Sequence, residues 1–539
     1  MSDERFDSVV REYFFRLMEL EPVTATFFGV HEYDGRLPEG TRRHVQEKIQ
    51  LLRGFREDVE TIPPESLSRD RRLDRELALY LVELGLFEME VLRGWEKASK
   101  VPDTVGNGVF LLLAREFAPL EVRLESVASR LEETPSYESR SRELVSDPVR
   151  LWNEIALESA KYSPALFKAA VDSAREISSS IRHRLEEAAQ AAAEAMARHA
   201  RWLEEEIIPK ASERYAIGRE KFERLLELRG LGMNSDEILK LGYEYLEKMK
   251  ALRAELAKKI DPNATPEEVL KKIKERHPSS FEEAIQFYRK AMEEARRFVI
   301  EKDIATVPDD EVLVVIETPG YLRHVLPFAA YMPPAKFDPV KQGIYMVTPP
   351  PSPEMLREHS FASIENTTVH EGYPGHHLQF ACALKNPSLI RALVDAPEFV
   401  EGWAFYCEEM MKDMGFHDDP EHRLIMVNDL IWRAARIIID VKLQREEISF
   451  DEAVDFLVEQ VGMERRAATS EVRWYTARPS YPLSYLLGKH LIMQLRDELR
   501  QKLGDRFDLR KFHDTMLYAG SLPWKFMRRV VLEEFGLAE

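Results

Sequence analysis

The chain has 539 residues, 44% of them hydrophobic and 32% charged, enough to bury a large core without disulfide or metal staples and unlike disordered, collagenous or membrane-spanning compositions. Asp plus Glu outnumber Lys plus Arg by 95 to 76, a formal net charge of −19, which repels nucleic acid and anionic membranes where no basic patch overrides it. The two cysteines, Cys382 and Cys407, are too few for a secreted disulfide framework and lack the CxxC spacing of a thiolate zinc site.

In chain order, the first segment, Met1-Ser-Asp-Glu-Arg-Phe-Asp, is polar, and the amphipathic stretch after it carries Arg11, Glu12 and Arg16. It has the character of neither a signal peptide nor a membrane anchor. A soluble, cytoplasmic protein with no nucleic-acid or membrane partner is expected, its oligomeric state left open. Most of the chain then reads as helix. Ser163-Pro164 opens a helix-compatible stretch to Pro209, through the alanines around Ala188 to Ala197, so one or two helices are expected to span roughly 65 Å. Further starts are marked by a polar cap with a glutamate three residues on: Asn234 with Glu237, Thr265 with Glu268, Ser280 with Glu283, and Ser449 with Glu452.

Residues 310 to 352 break this pattern, with β-favouring runs Val312 to Ile316 and Ile344 to Val347 between the proline-rich turns at Pro333-Pro334 and Pro349 to Pro351. A small edge element flanking a cleft is expected there. A loose boundary near 215 to 235 separates an N-terminal helical region, 1–225, from a catalytic region, 226–539, holding the sheet and the chemistry.

That chemistry is concentrated in His370-Glu371-Gly372-Tyr373-Pro374-Gly375-His376-His377-Leu378-Gln379. It begins like HExxH, in which two histidines on one helical face bind zinc and the glutamate between them is a general base. Pro374 stands where the second histidine belongs. In an unbroken helix His376 is turned by about 240° from His370, and His377 lies about 10.5 Å further along. Pro374 offers no N–H to the His370 carbonyl; if Pro374-Gly375 loops out as a bulge, the HExxH spacing returns with His376, favoured over His377. The third ligand of gluzincin sites lies roughly 20 to 35 residues on. Glu401, among Phe399, Val400, Trp403 and Ala404, is a buried carboxylate that needs a partner. Glu408, two turns further on the same face, is the alternative ligand, or else an acceptor for a histidine N–H.

Beyond this motif the chain resembles the DUF885 family of proposed metallopeptidases, whose HExxPGHxxQ pattern is matched by His370 to Gln379. The resemblance extends through Glu317-Thr318-Pro319, Pro327 to Tyr331, Gly343-Ile344-Tyr345, Glu401-Gly402-Trp403-Ala404 and Gly29 to Asp34. Glu401 also resembles the third ligand of thimet-oligopeptidase-like and carboxypeptidase-Taq-like helical peptidases. These likenesses imply a mainly α, two-lobed fold with a deep channel, and zinc held by His370, His376 and Glu401. Departures occur at Gln444, where the family often has histidine, at Trp474 within Glu471 to Tyr475, and at Tyr481 after Pro479-Ser480.

A zinc ion so held lowers the pKa of its water to roughly 7. Glu371 is the expected general base, and Tyr485, with Tyr481 one turn before it, the expected oxyanion donor. Manganese or cobalt suits similar ligands. Short peptides are the expected substrates, lying along an edge strand formed by Glu317 to Tyr331 or Gly343 to Val347, with Arg433, Arg436, Arg473 and Arg478 as candidate holders of a terminal carboxylate. Two other readings use the same residues: a zinc hydrolase of non-peptide amides, and a helical peptide-binding or scaffold protein with a degenerate site.

Overall fold

Helical periodicity governs most of the sequence, and the computed structural model is accordingly mainly helical, with one three-stranded sheet among the described residues, 2–175, 177–319, 323, 326, 329–350 and 352–537. No helix among them is long and apolar enough to cross a membrane. The chain forms two units. One comprises Met1–Tyr215 with Pro319–Val325 and Ala335–Val340; the other comprises Ala216–Thr318, Leu326–Pro334 and Lys341–Glu539.

In the first unit the core gathers Val105, Val109 and Leu112 of the Val101–Ala114 helix with Leu124, Val127 and Leu131 of the Leu120–Ser141 helix. Three- and four-residue spacing puts each set on one helical face. Two helices form here, one of the expected alternatives, but they are Arg150–Ser173 and Ser179–Trp202, and they pack together through Leu166, Phe167, Ala170, Leu185, Ala188 and Ala192 in place of an extended rod. Pro164 lies inside the first of them, and Ser163, expected as a cap, donates its hydroxyl to the Ser159 carbonyl instead (2.7 Å). An alanine-rich stripe is buried more fully against a neighbouring helix than along a free rod, and that packing decides the arrangement.

Residues 335–340 join this unit through long-range contacts. The Phe337 amide donates to the Phe28 carbonyl (2.9 Å), and its ring meets Phe14 at 5.7 Å. Asp338 and Asp34 grip His31 from both ring nitrogens, each at 2.8 Å, while the ring stacks on Phe117 at 3.6 Å. Burial pushes the His31 imidazole down, but the two carboxylates outweigh it and raise it to about 9. A group raised in the folded state stabilises fully below its ordinary pKa near 6.5 and loses that contribution as pH climbs through about 9. Wild type is therefore expected to lose on the order of 2 kcal/mol between pH 6 and pH 10 relative to His31→Gln. Denaturant melts of both proteins at each pH check this; parallel pH dependence would contradict it.

In the second unit the expected caps form. Asn234, Thr265 and Ser449 make complete capping boxes, whereas Glu283 turns from Ser280 to the amide and hydroxyl of Ser279. Strand β1 (Glu311–Glu317) pairs in parallel with β3 (Lys341–Val347), and β2 (Ala329–Met332) pairs with β3 in antiparallel, in the order β1-β3-β2. One face packs on the Phe281–Glu301 helix through Tyr288, Met292, Val315, Tyr345 and Val347. The run Gly343 to Val347 is thus the central strand, with both sets of backbone groups paired, and cannot be the peptide-binding edge expected of it. β1 and β2 are the edges. Pro327, Phe328 and Pro351 lie outside the described residues.

The Pro397–Asp413 helix is buried on nearly every side from Glu398 to Lys412, its charged residues being paired there, as Glu398 is with Arg229, Glu408 with His370 and Lys412 with Asn366. It crosses the Ser484–Leu503 helix at Gly402 and Gly488, whose Cα atoms approach closely enough to leave no room for side chains. Arg229 anchors its first turn, donating to Glu398 at 2.5 Å and to Ser484 at 3.0 Å.

Candidate metal centre

The Phe361–Glu371 helix carries His370 in its last turn and stops one residue later; the next helix, His376–Ala383, begins at the second histidine. Between them the Gly375 amide reaches back to the Val369 carbonyl (3.0 Å), and the Tyr373–Pro374 peptide is cis. A Cβ on Gly375 would collide with the carbonyl oxygens of His370 and Val369, so only glycine allows this approach. The chain therefore makes a full break where a two-residue bulge was expected. The histidines still converge, their ring centroids 4.8 Å apart and nearly perpendicular.

Glu401 meets them from the Pro397–Asp413 helix. Its Oε2 lies 3.5 Å from His376 Nε2 and 3.9 Å from His370 Nε2, and the three donor atoms all fall within 4.8 Å of one another. His376 and Glu401 are buried and His370 is slightly exposed. Burial pushes the Glu401 carboxyl up, yet His376, His370 and the Tyr481 hydroxyl together hold it down at about 2. Burial likewise pushes His376 down, while Glu401 carries it up to about 9. Without a cation these groups form a buried ion pair; a divalent cation would compete with the proton for the same nitrogens.

Neighbouring side chains hold the three donors in place. Glu408 accepts from His370 Nδ1 at 2.7 Å, which fixes the ring and frees Nε2 to face Glu401. Tyr481 donates to Glu401 Oε1 at 2.8 Å and leaves Oε2 toward the histidines. The Trp403 indole donates to the Pro374 carbonyl at 2.8 Å, tying the histidine turn to the Glu401 helix. Glu311 on β1 takes hydrogen bonds from Tyr373 and His377 at 2.6 Å and from Arg296 at 2.8 Å, and these hold its carboxyl at about 2 against burial. His377, also bonded to Tyr331 at 3.0 Å, is thereby committed to the sheet and faces away from the donor set.

The donor set suits a cation such as zinc, since two imidazoles and a carboxylate, each steadied from behind, are its usual company. One feature is less complete: His376 Nδ1 is buried and faces the Gln379 carboxamide one turn on, a near contact that falls short of hydrogen-bond geometry. A second cluster, Glu365, His417 and His422, also brings donors together, but His422 is already bonded to Glu365 and to Asp419 at 2.6 Å each. That cluster is satisfied without a cation. The Cys382 thiol is pushed up to about 12 by burial, and both cysteines are buried and unbonded to each other.

Glu371 ends its helix beside the site, near enough for its charge to act on His376, Tyr288 and Tyr345. Tyr485 lies edge-on to Phe405 at 6.0 Å and to Tyr481 at 6.1 Å, and burial keeps its phenol protonated. Phe405 in turn stands 5.2 Å from the His370 ring. Sequence reasoning missed Glu311 and the tie from Trp403. Nothing in the local pattern marks either, because the nearest partner of Glu311 lies 15 residues away and that of the Trp403 indole 29.

The model of a family described as bacterial protein of unknown function (DUF885) matches residues 22–531. The chain belongs to the DUF885 family. No curated protein matches it. Two solved structures are similar in fold: a "putative lipoprotein of unknown function" from Shewanella oneidensis, 23% identical with TM-score 0.79 over 98% of this chain and 99% of that one, and the "putative lipoprotein" from Colwellia psychrerythraea, 18% identical with TM-score 0.85 over 99% of each.

Within this DUF885 chain the departures from the family pattern have local explanations. Trp474 stands edge-on to Tyr481 at 5.3 Å and so buttresses the tyrosine that holds Glu401. Gln444 accepts from the Ile217 amide at 3.1 Å, closing the end of the Pro420–Gln444 helix. Replacing Glu408 by glutamine is expected to weaken metal binding by about 10- to 100-fold, because His370 loses the charge that raises its basicity. Competition with a chromogenic chelator measures it; unchanged affinity would leave Glu408 without that role.

Proposed function

We propose that this DUF885 protein is a zinc-dependent peptidase of short peptides, with His370, His376 and Glu401 as ligands and Glu371 as general base. The reading rests on one observation: three donors of the right chemistry face one another within 4.8 Å, with an unused carboxylate at the adjoining helix end. A bound cation would supply a Lewis acid that polarises the scissile carbonyl and acidifies water, and manganese or cobalt could serve in its place. Glu371 takes the proton from the attacking water and delivers it to the leaving amine. Tyr485 donates its phenolic hydrogen to the oxyanion that develops on the former carbonyl, a role suited to a phenol kept protonated by burial. Tyr481 orients Glu401 instead, since its hydroxyl is already given to that carboxylate.

Elemental analysis combined with hydrolysis of a mixed peptide library, with and without chelator, tests the reading. One equivalent of metal and chelator-sensitive cleavage are expected. Bound metal with no cut peptides would favour a hydrolase of non-peptide amides, and peptide binding indifferent to chelator would favour a scaffold. A cytoplasmic location is proposed with it, and cell fractionation decides that point.

A further inference from the structure

The Pro420–Gln444 helix places two arginines, Arg433 and Arg436, beside the aromatic wall of the site, and their situations differ. Arg436 is committed: it donates from Nε to the Tyr475 hydroxyl at 3.0 Å and from Nη2 to Glu471 at 2.9 Å. Arg433 is not. Its Nε and Nη1 are shut away from solvent, and neither has a hydrogen-bond acceptor. Aromatic faces surround the guanidinium, with Cζ 4.0 Å from the Trp432 ring centroid, 4.7 Å from Phe405 and 5.8 Å from Tyr485. Asp429 one turn back and Glu408 offset its charge at a distance, while Arg436 opposes it. Charge is thus partly balanced, but two of the guanidinium's N–H groups are left unused away from solvent, which is costly unless a ligand brings an acceptor.

The position matters as much as the lack of a partner. Phe405 is shared: one neighbour of its ring is His370, at 5.2 Å between centroids, and another is the Arg433 guanidinium. Tyr485, the proposed oxyanion donor, also borders both Phe405 and Arg433. An extended peptide advances about 3.3–3.6 Å per residue, so a group bound at Arg433 lies within about three residues of a bond held at the donor set.

We propose that Arg433 receives the free C-terminal carboxylate of the peptide substrate, so that cleavage is confined to the last few residues of the chain. The inference rests on the peptidase reading for the identity of the ligand, but the carboxylate site itself rests on Arg433. A carboxylate accepting from Nη2 together with Nε or Nη1 makes the bidentate pair and fills one of the idle donors, and the flat aromatic walls match the planar pair.

The test separates binding from turnover. Calorimetry measures N-acetyl-phenylalanine and its amide on the metal-loaded protein, as wild type, Arg433→Gln and Arg433→Lys. Wild type is expected to bind the acid about 30-fold more tightly than the amide. Arg433→Gln is expected to bring that ratio near one, and Arg433→Lys to keep part of it, since a lysine retains the charge without the fork. Equal binding of acid and amide by wild type, no binding of either, or an undiminished ratio in Arg433→Gln would each overturn the proposal. Hydrolysis of matched peptides ending in a free acid or an amide forms a separate arm. Cleavage of both at similar rates would overturn C-terminal selection while leaving the peptidase reading intact. Cleavage of neither, with acid-selective binding preserved, would overturn the peptidase reading and the peptide as ligand, leaving Arg433 as a carboxylate site only.

Discussion

Glu371→Gln is expected to keep its metal and lose about 10²- to 10⁴-fold in kcat, the usual worth of a positioned general base. The substitution preserves shape and removes only the ability to take a proton. Glu371 is not among the three converging donors, so metal content by elemental analysis should match that of wild type. The Phe361–Glu371 helix should also persist, because the changed side chain is its last residue and half-buried. Single-turnover and steady-state peptide hydrolysis measure the loss. Undiminished turnover in a metal-loaded variant would remove Glu371 as the base and leave the proton without an assigned carrier.

Gly488→Ala is expected to lower stability by about 1–3 kcal/mol and to loosen metal binding together with it. At this crossing a Cβ would collide with the Glu398 carbonyl oxygen and come within 2.8 Å of the Gly402 Cα. Both obstacles belong to the backbone of the Glu401 helix, so neither can swing aside as a side-chain tip could. Glu398 is further pinned by Arg229 and by the Trp524 amide at 3.2 Å. The helices must separate, and Glu401 moves away from the histidines as they do. Gly54→Ala is the matching control: a Cβ there meets nothing within 4 Å inside the Arg42–Glu60 helix, and alanine should stabilise that helix by about 0.5–1 kcal/mol. Thermal melts and chelator competition on both variants check the contrast. A Gly488→Ala protein with wild-type melting and metal affinity would mean that the crossing yields more easily than its backbone contacts imply.

The capping boxes at Asn234, Thr265 and Ser449 involve residues three apart, and their chemistry depends on little else. The failure at Ser163-Pro164 is instructive, because serine before proline is a sound start signal and yet the helix runs straight through it. Packing against the alanine face of the Ser179–Trp202 helix outweighs one missing backbone hydrogen bond. The small sheet was legible as short β-favouring runs between prolines, whereas its strand order was not. A run rich in Ile, Tyr, Met and Val gives no sign of whether one neighbour or two will pair with it, so β3 reads as an edge strand although it lies in the centre.

The sequence by itself determined which residue types are present and how they are spaced: a mainly helical chain, an HExx pair interrupted by Pro374-Gly375, and a glutamate embedded in apolar residues 31 positions later. Local chemistry sufficed there, because proline's missing donor and glycine's missing Cβ act on their immediate neighbours. Only the tertiary structure decided between His376 and His377 as the histidine facing Glu401, gave Glu408 to His370 Nδ1, and left Arg433 without an acceptor. Each of those outcomes turns on a partner brought from a distant segment, and the packing that brings it is set by the whole core rather than by any stretch of sequence around the residue itself.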